Sequence, residues 1–508
     1  MFVRVMSFAL QGIEAVPVAV EVDVSNGLPY FEVVGLPDAA VRESRERVRA
    51  AIRNCGWHFP SHRITVNLAP AHTRKGGAGF DLAVALGVLA AGGCIDPSAL
   101  TGVAVAGELA LDGTLRPVRG ALAMALTAQA EGRGCLVIPA ASAGEAALAG
   151  GRVYGASDLS AVVNHLTGCE RLPTVLPHAE PEAAPEVAEP NLADVKGQIV
   201  ARRALEIAAA GGHNLLMMGP PGAGKSLLAR CLPGILPPLE ADESLEVSRI
   251  HSIAGSLPAG RLIRARPYRA PHHSASRSAL LGGGNPLRPG ELTLAHQGVL
   301  FLDELPEFGR DGLEGLRQPL DEGWVHLSRA HGTAGFPARP MLVAAANPCP
   351  CGYYGDPSRP CTCPASAVTL YRARLSGPLL DRFDIRVFLS PVLYDQFAAV
   401  GIQGRTETSE TVRARVTEAR RRQAGRLAGT GLRCNAQLSL QMTRQHCQLP
   451  AGGEVLLRHA MERIGLSLRG HDRALKVART IADLAGSSSI ELPHLAEALQ
   501  YRGSERLV

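Results

Sequence analysis

The chain has 508 residues, 46% of them hydrophobic and 19% charged, and carries a net charge of +5. That length exceeds what one hydrophobic core serves and points to two to four domains, while the composition is that of a folded chain and excludes a disordered one. The longest apolar stretch, Phe80 to Ile95, holds Asp81 and several glycines, which excludes a membrane span; no signal peptide is visible, so a cytoplasmic location is expected.

Residues 1–168 mix strand and helix patterns. Val16 to Val24 alternates in a β-like way, and Ile64 to Leu68 is a second strand candidate. Pro37 to Asn54 predicts a helix, with Asp38 at its start and Val41, Val48 and Ile52 inward. Phe80 to Ala91 predicts a buried helix. Leu111 to Arg119 predicts a hairpin turning at Asp112-Gly113, followed by a helix through Ala130. Together these predict an α+β domain. From 169 to 190 the composition shifts to Pro, Glu and Ala, which predicts a semi-extended linker outside any core.

Residues 191–393 carry the chemistry. Gln198 to Ala210 has one apolar face and predicts a helix. Leu215 to Met218 is a short apolar run that predicts a buried strand, and it leads into Gly219-Pro220-Pro221-Gly222-Ala223-Gly224-Lys225-Ser226, with an apolar helical segment after it. This fits G-x-x-x-x-G-K-[ST] between strand and helix, the context in which the backbone wraps a phosphate chain. Lys225 is expected on the β and γ phosphates and the Ser226 hydroxyl on Mg²⁺. About eighty residues on, Gly298 to Leu302 predicts a strand buried on both faces and ending in Asp303 and Glu304, expected to hold Mg²⁺ and to activate water respectively. Met341 to Ala346 predicts a third strand ending at Asn347, either a bridge between water and the γ-phosphate or a turn residue before Pro348. ATP and Mg²⁺ are the cofactors this set implies.

Two stretches exceed a minimal nucleotide-binding core. Pro267 to Pro289, with His272, His273, Arg277 and Gly282-Gly283-Gly284, predicts a mobile loop. Trp324 to Gly332 alternates like a hairpin strand. Four of eleven cysteines, Cys349, Cys351, Cys361 and Cys363, lie within fifteen residues; two C-x-C pairs suit a tetrahedral Zn²⁺ site, with free thiols or redox disulfides as alternatives. The other seven read as buried, reduced thiols.

After Leu379-Leu380-Asp381-Arg382-Phe383-Asp384, a strand is predicted over Ile385 to Leu389, and residues 394–508 read as helices: Glu410 to Arg426, Glu454 to Ile464, Asp472 to Leu484 and Pro493 to Tyr501. Residues 401–508 hold 17 Lys/Arg against 10 Asp/Glu, a surplus that suits a polyanion or solvated arginine-rich helix faces.

Gly35-Leu36-Pro37-Asp38, Asn67-Leu68-Ala69-Pro70 and Lys75-Gly76-Gly77-Ala78-Gly79-Phe80-Asp81-Leu82-Ala83 resemble the Lon-protease-type (S5-type) domain that begins Mg-chelatase-like ATPases. The turn that carries a nucleophilic serine in Lon proteases is Gly77-Ala78-Gly79 here, so acyl-enzyme chemistry is not available and a structural or binding role is expected. With the phosphate loop and the Leu-Asp-Arg-Phe-Asp segment, the whole chain resembles the Mg-chelatase-like AAA+ family of the ComM and YifB type. The resemblance implies an α/β fold: a Lon-like domain at 1–168, a parallel-sheet AAA+ core at 191–393 with a cysteine insertion at 349–363, and a helical lid at 394–508. It implies that Arg382 acts in trans on a neighbour's ATP, or, failing that, pairs with Asp381 or Asp384. It implies a lid arginine at Arg469, or Arg473 one turn on, reaching the γ-phosphate. It also implies a pore hairpin whose His326, Arg329 and His331 touch nucleic-acid phosphates, unless they are the polar face of an ordinary hairpin. The activity implied is a homohexameric ring motor on single-stranded or branched DNA, a helicase for branch migration in recombination of transforming DNA. The alternative is a chelatase-type subunit that remodels a protein partner.

Overall fold

A computed structural model describes residues 1–71, 75–177, 190–258, 260–329, 332–356, 358–391 and 407–502. The N-terminal part is built on a mixed seven-stranded sheet. Its spatial order is Tyr30–Val34, Arg63–Ala69, Glu14–Ser25, Phe2–Gln11, Val103–Val105, Cys135–Pro139 and Val153–Ala156. Phe2–Gln11 pairs antiparallel along its whole length with residues 14–23 of Glu14–Ser25, and the last three strands run parallel to Phe2–Gln11. The period-2 alternation of Val18, Val20 and Val22, all fully buried, turns one face toward the helices Ala39–Asn54 and Asp81–Ala91. The first of these starts where Asp38 accepts a hydrogen bond from the Val41 N–H, as an N-cap should. The expected hairpin has its turn at Asp112-Gly113, with strands at Glu108–Leu109 and Leu115–Arg116.

The second part is a five-stranded, all-parallel sheet ordered Tyr268–Arg269, Val299–Leu302, Met341–Ala346, Leu215–Met218, Ile385–Phe388. The three middle strands are buried at every position, which is why their sequences read as unbroken apolar runs rather than alternations. Because all five run the same way, Gly219, Asp303 and Asn347 leave the sheet on one edge.

The C-terminal helices are Ser409–Arg426, Leu440–His446, Ala451–Ile464, Leu468–Ala485 and Leu492–Gln500. Leu468–Ala485 and Ser409–Arg426 pack on Ile199–Gly211, their apolar residues joining one cluster with the sheet. A second cluster runs from the N-terminal part into the parallel sheet: Phe8, Ala121 and Ala128 share it with Ile250 and Ile253 of the Ala241–Ala254 helix. Arg249 donates to the Ile13 carbonyl at 3.2 Å, and Ser252 bonds Glu145, so the two parts dock through apolar and polar contacts alike.

Three expectations are corrected. The 169–190 segment does not leave the first part at Cys169: Thr174 bridges Tyr154, and the Val175 N–H donates to Val153 at 2.8 Å, because a half-buried Val175 has apolar surface to cover; residues 178–189 lie outside the described residues. Pro267 to Pro289 is not an irregular loop. It forms the edge strand Tyr268–Arg269, the helix Arg277–Leu281 and a ladder of Gly282–Gly283 with Arg288–Pro289, closed by glycines at positive φ. Of the seven scattered cysteines, Cys94 and Cys169 are exposed, and only Cys231, Cys434 and Cys447 are buried.

The tie between the parallel sheet and the C-terminal helices is Asp384. It accepts from Arg473 at 2.6 Å, from the Asn214 N–H at 3.2 Å, and faces His213 Nδ1 at 3.3 Å. Burial alone would push this carboxyl up, but Arg473, His213 and Lys476 outweigh it and hold it well below the usual range. Its stabilisation is therefore fully present above the unfolded carboxyl value of about 4 and is lost as pH falls toward the folded value. Asp384→Ala leaves the half-buried Arg473 and the buried His213 without their acid and is expected to lower stability by about 3 kcal/mol at neutral pH in urea unfolding; a loss within about 0.5 kcal/mol of parent contradicts this role.

Candidate nucleotide-binding site

The phosphate loop bends where glycine alone fits. A Cβ on Gly219 would lie 2.4 Å from the Leu389 carbonyl oxygen, and Gly222 and Gly224 sit at φ +79° and +89°. Gly224 hands over to the Lys225–Arg230 helix. Lys225 is 9% exposed, and its Nζ donates to the carbonyls of Gly219 (2.7 Å) and Pro220 (2.9 Å) and to Asn347 Oδ1 (3.0 Å). None of these partners carries charge. Burial pushes the amine down to about 8, against the opposing pull of Asp303 and Glu304. A buried cation lacking a carboxylate contact suits a phosphate.

Ser226 Oγ donates to Asp303 Oδ2 at 2.7 Å, so the hydroxyl and carboxylate expected to share Mg²⁺ already touch. Hard oxygen donors of this kind fit that ion. Glu304 follows with φ +52°, a left-handed conformation rare outside glycine, and its side chain is 53% exposed. Its carboxylate lies 3.3 Å from His273 Nδ1, and His273 rests on His272 with ring centroids 4.0 Å apart. Sequence reasoning singled out these histidines without connecting them to Glu304; only the parallel neighbours Tyr268–Arg269 and Val299–Leu302 bring them together. Gln198 was missed altogether: its Nε2 bridges the Ala223 carbonyl (3.1 Å) to that of Ser390 (2.8 Å), and nothing in its neighbours marks that role.

Arg382, Arg469 and Arg473 are elsewhere. Arg382 precedes Ile385, which pairs with Leu215 at the start of the strand that leads into the phosphate loop, so it sits at the edge of the sheet opposite Lys225. It is buried, paired with Asp321 rather than Asp381 or Asp384, and donates to the Arg317 carbonyl at 3.2 Å. Arg473 donates to the Arg382 carbonyl at 2.9 Å. These two and the exposed Arg469 line one cleft of about 630 Å³ between the sheet and the C-terminal helices.

The four clustered cysteines meet. Sγ–Sγ distances are 3.4 Å (Cys349–Cys351), 3.6 Å (Cys349–Cys361) and 3.5 Å (Cys351–Cys361), and all four sulfurs lie within 4.8 Å of one another. A tetrahedron with Zn–S of about 2.3 Å has edges near 3.7 Å, so the set fits Zn²⁺; disulfide bonding at about 2 Å is not present. The knuckle is joined to the nucleotide site through its first half, in two places. Cys349 follows Asn347 by two residues, and Gly352 packs on Pro221, where a Cβ would come within 2.6 Å of the ring.

The hairpin expected at Trp324 to Gly332 is present as Trp324–Arg329 paired with Gly332–Pro337. His326 is exposed on the same strand face as Trp324, their rings 6.4 Å apart and nearly parallel, and Arg329 is exposed near the tip. His331 lies outside the described residues.

Family models cover most of the chain: "Magnesium chelatase, subunit ChlI" over residues 191–397, "Subunit ChlI of Mg-chelatase" over 20–142, and "Magnesium chelatase, subunit ChlI C-terminal" over 406–502. Full-length relatives agree. Competence protein ComM of Haemophilus influenzae is 45% identical across 99% of this chain and 98% of its own length, and YifB of Escherichia coli is 43% identical across 98% and 97%. An uncharacterized protein of Mycobacterium tuberculosis is 44% identical across 98% of both. With the phosphate loop, the acidic strand end and Asn347 converging as they do, the chain belongs to the Mg-chelatase-like AAA+ family that includes the ComM and YifB proteins.

Proposed function

We propose that the chain is an ATP-hydrolysing ring motor acting on single-stranded and branched DNA, a homohexameric helicase for branch migration when transforming DNA recombines. The observation that carries the ATPase half is Lys225, held without charged partners beside Asn347 while Ser226 meets Asp303. The name of the Haemophilus relative, a competence protein, supports the DNA half.

Ser226 and Asp303 would hold Mg²⁺, which would supply charge neutralisation to the β and γ phosphates. Lys225 and the loop N–H groups would orient the phosphates, and Asn347 would fix Lys225 and the γ-phosphate end. Glu304, solvent-facing and free to turn from His273, takes the proton of the attacking water. One subunit lacks transition-state neutralisation on the far side of the phosphate. Arg382, which shares a cleft with Arg469 and Arg473 at the sheet edge opposite its own Lys225, serves the next subunit's site, which makes the ring the active form. The N-terminal part acts as a Lon-like domain without its nucleophile, and the C-terminal helices act as the lid. His326 and Arg329 contact the DNA backbone from the hairpin. The chelatase-type reading, favoured by the family descriptions, is the alternative.

Hydrolysis measured with and without forked DNA separates the two. The motor reading predicts stimulation of at least several-fold in the parent and none in the turnover-dead Glu304→Gln; a parent rate indifferent to DNA contradicts it. The cysteine knuckle is expected to hold about one Zn²⁺ per chain. Because it presses on Pro221, stripping the metal with a chelator is expected to weaken binding of a fluorescent ATP analogue, read without turnover; unchanged binding after verified metal loss contradicts the brace.

A further inference from the structure

The N-terminal part carries a net-acidic sequence with its positive charge gathered in one place. Residues 42–75 hold eight Lys/Arg and two Asp/Glu, whereas the rest of residues 1–168 holds five and twelve. Some of these cations face inward: Arg47 pairs with Asp81 at 2.7 Å, and Lys75 is buried. Arg42, Arg45, Arg53 and Arg63 are exposed, and Arg49 is half-buried. Arg45, Arg49 and Arg53 follow one another at four-residue intervals along Ala39–Asn54, about 6 Å apart on one helix face. They rim a shallow depression of about 80 Å³ together with Tyr30, Phe59 and His62, and no carboxylate lines it. Arg63 lies over the Tyr30 ring at 5.8 Å and Arg49 over the Phe59 ring at 6.0 Å.

These cations are poorly neutralised. Arg45 meets only the exposed Glu46, at 3.3 Å, and the buried Nε of Arg49 has no hydrogen-bond partner among the described residues. One aromatic ring is also open: Tyr30 is 50% exposed on the edge strand Tyr30–Val34, with Phe59 half-buried behind it and the apolar Leu28 beside it 88% exposed. Evenly spaced guanidinium groups beside accessible aromatic rings are the two components of a single-strand site, one tracking phosphates and the other stacking bases. An acidic peptide would use the charge but not the exposed rings.

We propose that this groove binds single-stranded nucleic acid, with phosphates on Arg45, Arg49, Arg53 and Arg63 and a base on Tyr30. It is a second contact, on the N-terminal part, distinct from the hairpin at Trp324 to Arg329; it rests on the DNA reading above only for the class of ligand.

Anisotropy of a fluorescein-labelled oligothymidylate on the full chain tests it, over a salt series. The triple variant Arg45→Ala/Arg53→Ala/Arg63→Ala, with thermal melting matched to parent, is expected to bind at least about tenfold more weakly, its log–log salt slope shallower by about 2 for three lost phosphate contacts on a single strand. Parental affinity and slope in that variant overturn the groove and leave the motor reading standing; a parent that binds no oligothymidylate removes both. Polyglutamate competing as well as the oligonucleotide also overturns the nucleic-acid assignment. Should the variant melt early, photocrosslinking of 5-bromouracil oligonucleotide to the parent decides: crosslinks within residues 28–63 support the groove, and crosslinks confined to the parallel-sheet part overturn it.

Discussion

The structure depends on a buried ammonium group. Lys225 is drawn out of water by the loop that wraps it and meets two backbone carbonyls and the Asn347 amide, while the nearby carboxylates attract it without touching it. A cation so placed is costly unless an anion arrives. The neighbouring features keep that place vacant of protein charge: Gly222 and Gly224 turn the loop at positive φ, Asp303 is turned to Ser226 and Glu304 is bent outward.

The same parallel sheet that gathers Gly219, Asp303 and Asn347 at one edge sends Arg382 to the other. There the chain spends its charges on holding itself together, through Arg382 with Asp321 and Asp384 with Arg473. In the proposed ring, Arg382 would have to exchange Asp321 for the neighbouring phosphate, so the trans role requires a second state of this side chain. The knuckle of four cysteines stands between these edges in sequence and leans on Pro221 in space, so cysteine cluster, nucleotide loop and Asn347 form one unit.

What was legible in the sequence was local. Leu215–Met218 and Met341–Ala346 coincide with their apolar runs, because strands buried on both faces leave no ambiguity of phase. The motifs it marked separately touch in space, Lys225 with Asn347 and Ser226 with Asp303. What escaped was long-range. The opening strand Phe2–Gln11, the proximity of His273 to Glu304, and the choice of Asp321 by Arg382 across 61 residues all come from which strands lie side by side. Gly282 to Gly284 were mistaken for mobility since glycine marks a hairpin ladder and an open loop alike. The docking of Ile250 and Ile253 on the N-terminal part left no periodicity of its own to read.

A subunit-mixing experiment addresses the composite site directly. Lys225→Ala removes a subunit's own phosphate grip and Arg382→Ala removes what it lends; each alone is expected to be inactive. If the borrowed arginine completes a neighbour's site, mixed rings contain interfaces with an intact Lys225 facing an intact Arg382, and ATPase activity returns on mixing. Two inactive proteins that stay inactive after verified co-assembly, or an Arg382→Ala chain that hydrolyses ATP at the parent rate, contradict the account.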